Sequence, residues 1–362
     1  EEAIAFAREA VAIQRMLAAE QPAAYLFHLA GSLSCLARHL SAQGDAVSRA
    51  EALECKKNVV EIFRKLSAEQ PNAYLSDLAG SLNNLASHLS EQGDAASRNE
   101  ALVNSKEAVE IYRRLAAEQP AAYLSALARS LHDLAVRLSE QGDAASREEA
   151  LAHAKEAVGI YRKLAAEQPA VYLPELALSL NILANSLSEQ GDATSRSEAL
   201  VRAREAAKIY RGLAAEHPAA FLPGLAKVLD SLSHCLLQQG DAALRGEALA
   251  CAKEVVGLFR KLAAEHPAAY LPDLAMSLNT LVNCLNEQRD AASRGEALTC
   301  AREAVGIYGD LAAEDEAAFG QDLLKSMDLL NGLSRVQDGP SALLEVEVRQ
   351  GAGFVWRVGG EE

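Results

Sequence analysis

Four of the six cysteines fall into two pairs with the same spacing. Cys235 and Cys251 lie 16 residues apart, and so do Cys284 and Cys300. A zinc site needs about four ligands at fixed geometry, and a disulfide needs Cα atoms within about 7 Å. Whether the members of a pair meet depends on the fold. The spacings match no zinc or redox motif, so we predict buried or partly buried thiols and no metal site.

Motifs for nucleophilic, metal-dependent or phosphate chemistry are missing. The sequence contains no Gly-x-Ser-x-Gly, no His-Glu-x-x-His and no phosphate-binding loop. We therefore predict that the chain is not an enzyme and holds no cofactor.

The composition is that of an acidic, helical protein. The 362 residues carry a net charge of −15; half of them are hydrophobic, and only 5% are aromatic. Ala and Leu are strong helix formers, which predicts an all-α fold. The negative charge argues against nucleic acid as the main partner. No apolar stretch is expected to reach the ~20 residues of a membrane span, and the cysteine usage predicts a reducing, cytoplasmic location.

A period of 49 residues positions these side chains. The motif Ala-Glu-(Gln/His)-Pro places prolines at 22, 71, 120, 169, 218 and 267, and repeat units start near 2, 51, 100, 149, 198, 247 and 296. Seven copies are therefore predicted to fill residues 1–344. Residues 345–362 change period and are interpreted as a tail: a β-hairpin, the start of a truncated domain, or a frayed end.

Each copy predicts two helices. In the fourth copy the first helix is predicted over 149–167 and the second from about 174 to 189, each with one apolar stripe. We expect Ser146 or a neighbour to cap the first helix, Pro169 to block its continuation, and Gly191 to end the second helix in the left-handed conformation.

Paired helices with Leu-x2-Leu-Ala-x2-Leu followed by Glu-Ala-x6-Ala resemble the tetratricopeptide repeat. Within that group, segments 272–282 and 296–308 are most similar to the kinesin light chain type. The unit here is longer, with residues added in the Gly-Asp-Ala-Ala-Ser-Arg turn and as Ala-Ala-Tyr-Leu before the second proline. The resemblance implies an α-solenoid, a right-handed superhelix of seven antiparallel helix-turn-helix repeats, whose second helices line a concave groove.

Four columns of the second helix vary between copies and lie 3, 1 and 3 residues apart, so they share one helix face. We call this the variable face: Leu178, Asn181, Ile182 and Asn185 of the fourth copy and their equivalents at 49-residue intervals. The column of Asn181 is polar in every copy. The candidate peptide-binding residues are Asn83, Asn84, Arg129, His132, Asn181, Asn185, Lys227, Asp230, His234, Asn279 and Asn283.

Asparagine offers one acceptor and two donors, so a ladder of asparagines could clamp the backbone of an extended peptide. The plainer alternative is that each one solvates the helix or bonds within the array. Arg129, Lys227 and Lys325 give the face some positive charge, which favours an acidic peptide or a free carboxylate as ligand.

The predicted function is a protein-protein interaction scaffold, monomeric or part of a larger chain, with protein or peptide partners and no nucleic acid or membrane. One alternative is a ligand-sensing arm of a multidomain signalling protein, since such arrays resemble those attached to nucleotide-binding ATPases or caspase-like peptidases. A weaker alternative is a self-assembling structural array.

Two further sets of residues follow the period. Thirteen of the 17 aromatic residues occupy two columns, one running from Phe63 to Tyr308 and the other from Tyr25 to Phe319, and are predicted to pack the junctions between copies. Basic residues such as Lys57 and Lys106 lie four residues before Glu61 and Glu110, which predicts ion pairs along a helix surface.

Overall fold

The computed structural model describes residues 2–43, 45–338, 343–347 and 355–359, and within them the chain forms helical hairpins and one pair of short strands. The helices described are α1 (Glu2–Glu20), α2 (Pro22–Gln43), α3 (Ala46–Glu69), α4 (Pro71–Ser90), α5 (Ala95–Glu118), α6 (Pro120–Gln141), α7 (Ala144–Glu167), α8 (Pro169–Gln190), α9 (Ala193–Glu216), α10 (Pro218–Gln238), α11 (Ala242–Glu265), α12 (Pro267–Asn286), α13 (Ala291–Glu314) and α14 (Glu316–Asp338). The predicted all-α repeat class is confirmed. The hand of the superhelix stays a prediction.

The chain divides into two compact units, residues 1–167 and 168–362. Within the first unit each of helices α1 to α6 packs on the next one along the chain, and within the second unit each of helices α8 to α13 does the same. A single residue, such as Gln70 or Gln119, links the two helices of a hairpin. The leucine and alanine stripe of the even-numbered helices forms part of the core of each unit, with Leu82, Leu131, Leu180 and Leu229 fully buried, and buried side chains of the odd-numbered helices complete it.

Aspartate and glycine residues mark the helix ends at the turn between copies. Asp94 Oδ1 accepts from the Ser97 backbone N–H at 2.9 Å, and Asp143 does the same for Ser146. The predicted cap at Ser146 is therefore its neighbour Asp143, whose carboxylate is an N-cap acceptor. Gly191 ends α8 with φ +77°, as predicted. Gly44, the equivalent of Gly191 in the first copy, and Gly339 and Pro340, which follow α14 in the sequence, lie outside the described residues.

The second helix of each copy begins earlier than predicted. Helix α8 starts at Pro169 and not near Pro174, which lies inside it. Proline is favoured at the first helical position because its missing N–H needs no partner there. The Ala-Ala-Tyr-Leu segments that looked like added turn residues are therefore the first turns of even-numbered helices.

Ion pairs join odd-numbered helices of successive copies, 43 residues apart. Lys106 Nζ lies 2.8 Å from Glu149 and Arg113 Nη2 lies 2.6 Å from Glu156. We call the following pairs the acid–base ladder: Arg8–Glu51, Lys57–Glu100, Arg64–Glu107, Lys106–Glu149, Arg113–Glu156, Arg204–Glu247, Arg211–Glu254, Lys253–Glu296 and Arg260–Glu303. Lys57 and Lys106 thus reach a neighbouring helix instead of the predicted glutamates four residues away.

The two aromatic columns lie beside the hairpin turns. Members of the first are buried, with Tyr112 5% and Tyr161 4% exposed, and members of the second are half-buried. Tyr112 donates from its hydroxyl to the backbone oxygen of Ser76 in the preceding copy at 3.4 Å. This contact agrees with the predicted role of the column between copies.

Residues of the tail form two paired strands. Leu343–Glu347 (β1) pairs antiparallel with Val355–Gly359 (β2), with Val346 opposite Trp356. Gly351 and Gly353, which suggested a hairpin turn, lie outside the described residues. The assignment of the tail to a further domain stays a prediction.

Helices α8 and α10 are long and apolar enough to cross a membrane by length and composition alone. On that criterion the prediction that no stretch approaches a membrane span is wrong. About half of each apolar segment, 50% and 44% respectively, is buried inside the protein. Repeats rich in Leu and Ala produce such helices because one face must pack on each neighbour.

Candidate functional site

The variable face and the packing columns separate cleanly on the even-numbered helices. Leu180 and Ala184 are fully buried, whereas Leu178 is 40% and Met276 44% exposed. An exposed large apolar side chain beside a buried stripe is free to contact a ligand. Each compact unit therefore carries its own stretch of variable face.

The predicted site residues differ widely in accessibility. Asn84, Arg129, Lys227, His234 and Asn283 are exposed. Partly buried are His132, Asn185, Asp230 and Asn279, whereas Asn83 and Asn181 are buried at 9% exposure each. The exposed set can contact a ligand directly, and the buried pair serves the interior.

The asparagine column takes part in bonds within the array. Asn83 donates from Nδ2 to Ser130 Oγ at 2.6 Å, and Asn279 donates to Ser326 Oγ at 2.7 Å. Ser326 in turn donates to the Asp322 backbone oxygen at 2.9 Å, so its hydroxyl must accept from the asparagine amide. The amide nitrogens of Asn83 and Asn279 therefore bond within the array, which was the alternative to peptide binding.

The side-chain oxygens of the same column differ from the nitrogens in their hydrogen bonding. Oδ1 of Asn83, Asn181, Asp230 and Asn279 is buried and has no hydrogen-bond partner among the described residues. Buried acceptors of this kind cost free energy unless a donor reaches them. Four such acceptors at one repeat position are an unusual feature of the variable face.

Asp230 is the titratable member of this column. Burial raises the pKa of its carboxyl to about 6, and the Asp273 carboxylate adds to the effect, while a hydrogen bond from Thr280 opposes it. Burial also lowers the pKa of the neighbouring His234. His234 Nε2 lies 2.7 Å from Gln238 Nε2, which fits a neutral imidazole accepting from the amide.

The cations predicted to attract an acidic ligand are not equivalent. Lys325 pairs with Asp322 at 2.9 Å, and Lys227 lies 3.8 Å from Asp273. Arg129 is exposed, and no ion pair to it is found among the described residues. Arg129 is therefore the one of the three whose charge is least compensated within the fold.

A recess of about 640 Å³ opens between α2 and α4 in the first unit. Its lining includes Lys56 from α3 together with Asn84 and Asp77 from α4. Burial lowers the pKa of Lys56 and raises that of Asp77. Lys56 was not among the predicted site residues, although Ala or Ser fills its column in the other copies. A lysine in a column of small residues could therefore have marked this position from the sequence alone.

The second unit has two smaller recesses on its variable face. One of about 320 Å³ between α8 and α10 is lined by Asn185, Asp230 and His234. The other, of about 500 Å³ between α12 and α14, is lined by residues that include Asn283 and Lys325. Of the predicted site residues, Asn185, Asp230 and His234 thus come together in one recess, whereas Asn283 lines another beside Lys325.

Arg137 extends the variable face of the first unit inward. Arg137 is 7% exposed, and its guanidinium donates to Ser87 Oγ at 2.9 Å and Ser90 Oγ at 3.2 Å on the preceding even-numbered helix. Burial lowers the pKa of Arg137, and the nearby Asp133 and Glu140 carboxylates oppose this shift. Because both hydrogen bonds run from α6 to α4, we assign the cluster to the joint between these two helices.

The cysteines carry no assembled chemistry in the part of the chain that the structure describes. All six are free; Cys235, Cys251, Cys284 and Cys300 are buried. Burial raises the pKa of each of these four thiols, that of Cys284 to about 12, so they are protonated and unreactive at neutral pH. No group of three or more His, Cys, Asp or Glu side chains suited to a metal occurs among the described residues.

Comparison with solved structures identifies the fold. BtubC (BKLC) from P. vanneervenii superposes with a TM-score of 0.53 and 21% identity, over 74% of this chain and 92% of that one. Nearly identical TPR-like repeats from a Podosopora anserina chain assigned to the kinesin light chains give a TM-score of 0.46 and 21% identity, over 64% and 95%. A Rap protein complexed with Competence and Sporulation Factor gives 0.48 and 16%, over 88% and 84%.

At this level of identity the likeness to BtubC shows the fold alone. The predicted resemblance to a tetratricopeptide-type repeat protein is confirmed in that sense. No protein-family model and no curated protein sequence matches the chain.

Proposed function

We propose that the chain is a protein-interaction scaffold, and that the variable face of each compact unit binds an extended protein or peptide segment. One observation carries the proposal. On the same even-numbered helices, the repeated columns are buried, and the columns that differ between copies line open recesses. A surface with a repeated frame and varied side chains is what ligand recognition by a repeat protein requires.

The shape and polarity of the recesses support an extended ligand over a compact small molecule. The recesses hold about 320 to 640 Å³ each and recur between successive even-numbered helices within a unit. Side chains of an extended segment can enter successive recesses while its backbone meets exposed amides such as Asn84 and Asn283. In this proposal the chain performs no catalytic step and works in a reducing, cytoplasmic compartment.

The charge pattern narrows the ligand of the first unit. Arg38 and Arg129 on its variable face, and Lys56 in the recess beside it, have no ion pair among the described residues. We propose that this unit prefers a segment with an acidic side chain or a free carboxylate. In the second unit Lys227 and Lys325 already have carboxylate neighbours, so the same preference is not extended to it.

The proposal can be tested with a displayed library of unstructured peptides selected on the full chain. Enriched peptides are then measured by fluorescence anisotropy against an Asn84→Ala/Arg129→Glu variant and a Lys227→Glu/Asn283→Ala variant. We expect at least one variant to weaken each peptide by about tenfold or more. Arg114→Glu, a charge reversal at an exposed position of α5, is the matched control and should leave binding unchanged. Equal binding to all four proteins would contradict the proposal.

A further inference from the structure

The first helix exposes two positions that are buried or half-buried in every later odd-numbered helix. Phe6 is 69% exposed and Ile13 is 45% exposed. At the position of Phe6 the later copies have Cys55, Asn104, Cys251 and Cys300, each 5–6% exposed, and the half-buried His153 and Arg202. At the position of Ile13 they have Ile62 and Ile111 at 7–8% exposure and four half-buried residues. We call Glu2, Phe6, Glu9 and Ile13 the α1 edge face.

The preceding odd-numbered helix is what covers these positions elsewhere. Arg204 and Arg211 of α9 pair with Glu247 and Glu254 of α11, which lie on either side of Cys251 in the sequence, and Arg8 of α1 pairs with Glu51 of α3, four residues before Cys55. The column of Phe6 therefore lies against a basic pair on the neighbouring helix. Phe6 itself has no such neighbour among the described residues.

The two glutamates of the α1 edge face lack the ion pairs that their equivalents make in later copies. Glu2 and Glu9 occupy the columns of Glu149 and Glu156, which accept from Lys106 and Arg113 in the acid–base ladder. Those two donors lie seven residues apart on one helix, as Glu2 and Glu9 do. Within the described part of the chain neither Glu2 nor Glu9 has an ion-pair partner.

We propose that the α1 edge face is a docking surface for a helix of the array's own odd-numbered type. That helix carries two basic residues seven positions apart, which pair with Glu2 and Glu9, and it covers Phe6 and Ile13 with small apolar side chains. Charge complementarity selects this occupant, because the same four columns meet such a helix in the later copies. A second copy of the chain fits less well: α13 has Arg302 at the first basic position but Gly309 at the second.

The probe is a further copy of the repeat joined in register. Residues 95–148, which include Lys106, Arg113 and the capping Asp143, are placed ahead of Glu2 so that the 49-residue period is kept. Hydrogen–deuterium exchange then follows the amides of α1 in the full chain with and without this extension. The matched control carries Lys106→Glu and Arg113→Glu in the added copy only.

We expect exchange in α1 to slow by about tenfold or more in the extended chain, and most of that protection to be lost in the control. Unchanged exchange in α1, whether or not the added copy is itself protected, would overturn the proposal. So would a chain that light scattering shows to be a dimer without the extension and a monomer as Phe6→Glu, since the occupant would then be a second copy.

Discussion

The side-chain amide of Asn83 donates to Ser130 Oγ, 47 residues further along the chain, at 2.6 Å. The bond joins α4 to α6, two helices that present the same face in successive copies. Asn279 and Ser326 repeat it at 2.7 Å in the second unit. The polar column therefore has a structural task before any ligand binds.

Replacing Asn83 should weaken the first unit. We expect Asn83→Ala to lower the free energy of unfolding by about 1–2 kcal/mol, because a buried hydrogen bond is lost and the Ser130 hydroxyl loses its donor. Urea denaturation of Asn83→Ala, Ser130→Ala and the double variant measures the coupling, expected at about 0.5–1 kcal/mol. Asn84→Ala, at the exposed neighbouring position, should cost less than about 0.5 kcal/mol. Strictly additive single effects would show that the bond adds no stability.

The sequence was sufficient for features that depend on one helix at a time. The 49-residue period, the apolar stripes and the left-handed glycines are local, and the structure has them where they were predicted. Contacts between copies were not readable in the same way. Whether Lys106 meets Glu110 or Glu149 depends on how closely neighbouring helices approach, and the structure pairs it with Glu149.

In the candidate site, too, the features of a single helix were predictable and the contacts between copies were not. Variation between copies correctly located a face that is partly exposed, but it could not separate Asn83, which bonds inward, from Asn84, which is exposed. The two are adjacent in sequence and differ only in the direction of their side chains. Lys56 belongs to an odd-numbered helix, so an inventory restricted to the even-numbered helices omitted it.

The turn before α13 contains a correctable strain. Arg289 has φ +59°, where the equivalent residues Gly93, Gly142, Gly191 and Gly240 have φ of +72° to +77°. A side chain in the left-handed region costs about 1 kcal/mol. We expect Arg289→Gly to raise the free energy of unfolding of the second unit by about 0.5–1 kcal/mol, measured as a higher urea midpoint.

The reverse change supplies the control. Gly240→Ala introduces a side chain into the same conformation in the preceding turn and should destabilise by a similar amount. If Arg289→Gly lowers the midpoint, the arginine side chain makes a contact that outweighs the backbone cost.

The acid–base ladder predicts a charge-swap rescue. Arg113→Glu should destabilise the first unit by about 0.5–1 kcal/mol, since two carboxylates then face each other at a distance now held at 2.6 Å. Adding Glu156→Arg should restore most of this, and 1 M NaCl should shrink both effects because the pair is about one-third exposed. A double variant no better than Arg113→Glu alone would show that packing and not charge limits the contact.

Tyr161 tests the aromatic columns. Its side chain is 4% exposed on α7, so Tyr161→Ala should cost about 3–5 kcal/mol, the usual range for truncating a large core side chain. Tyr161→Phe keeps the ring and should cost about 1 kcal/mol at most. Thermal or urea unfolding measures both. A loss below half a kcal/mol for the alanine variant would mean that the ring is not part of the core.

Asp230 gives the second unit a pH dependence of known sign. Burial raises the pKa of its carboxyl from 3.8 in the unfolded chain to about 6 in the fold. Between those values the folded state binds the proton more tightly, so this group's contribution to stability falls as pH rises from about 4 to about 6 and stays low above that.

Asp230→Asn keeps the shape of the side chain and removes its charge. We therefore expect this variant to be more stable than the wild type by about 2–3 kcal/mol at pH 7, with the difference shrinking towards pH 4. Urea unfolding at a series of pH values measures the difference, and Asp328→Asn, at an exposed position of the same column, is the matched control. A constant difference across the range would show that Asp230 titrates normally in the fold.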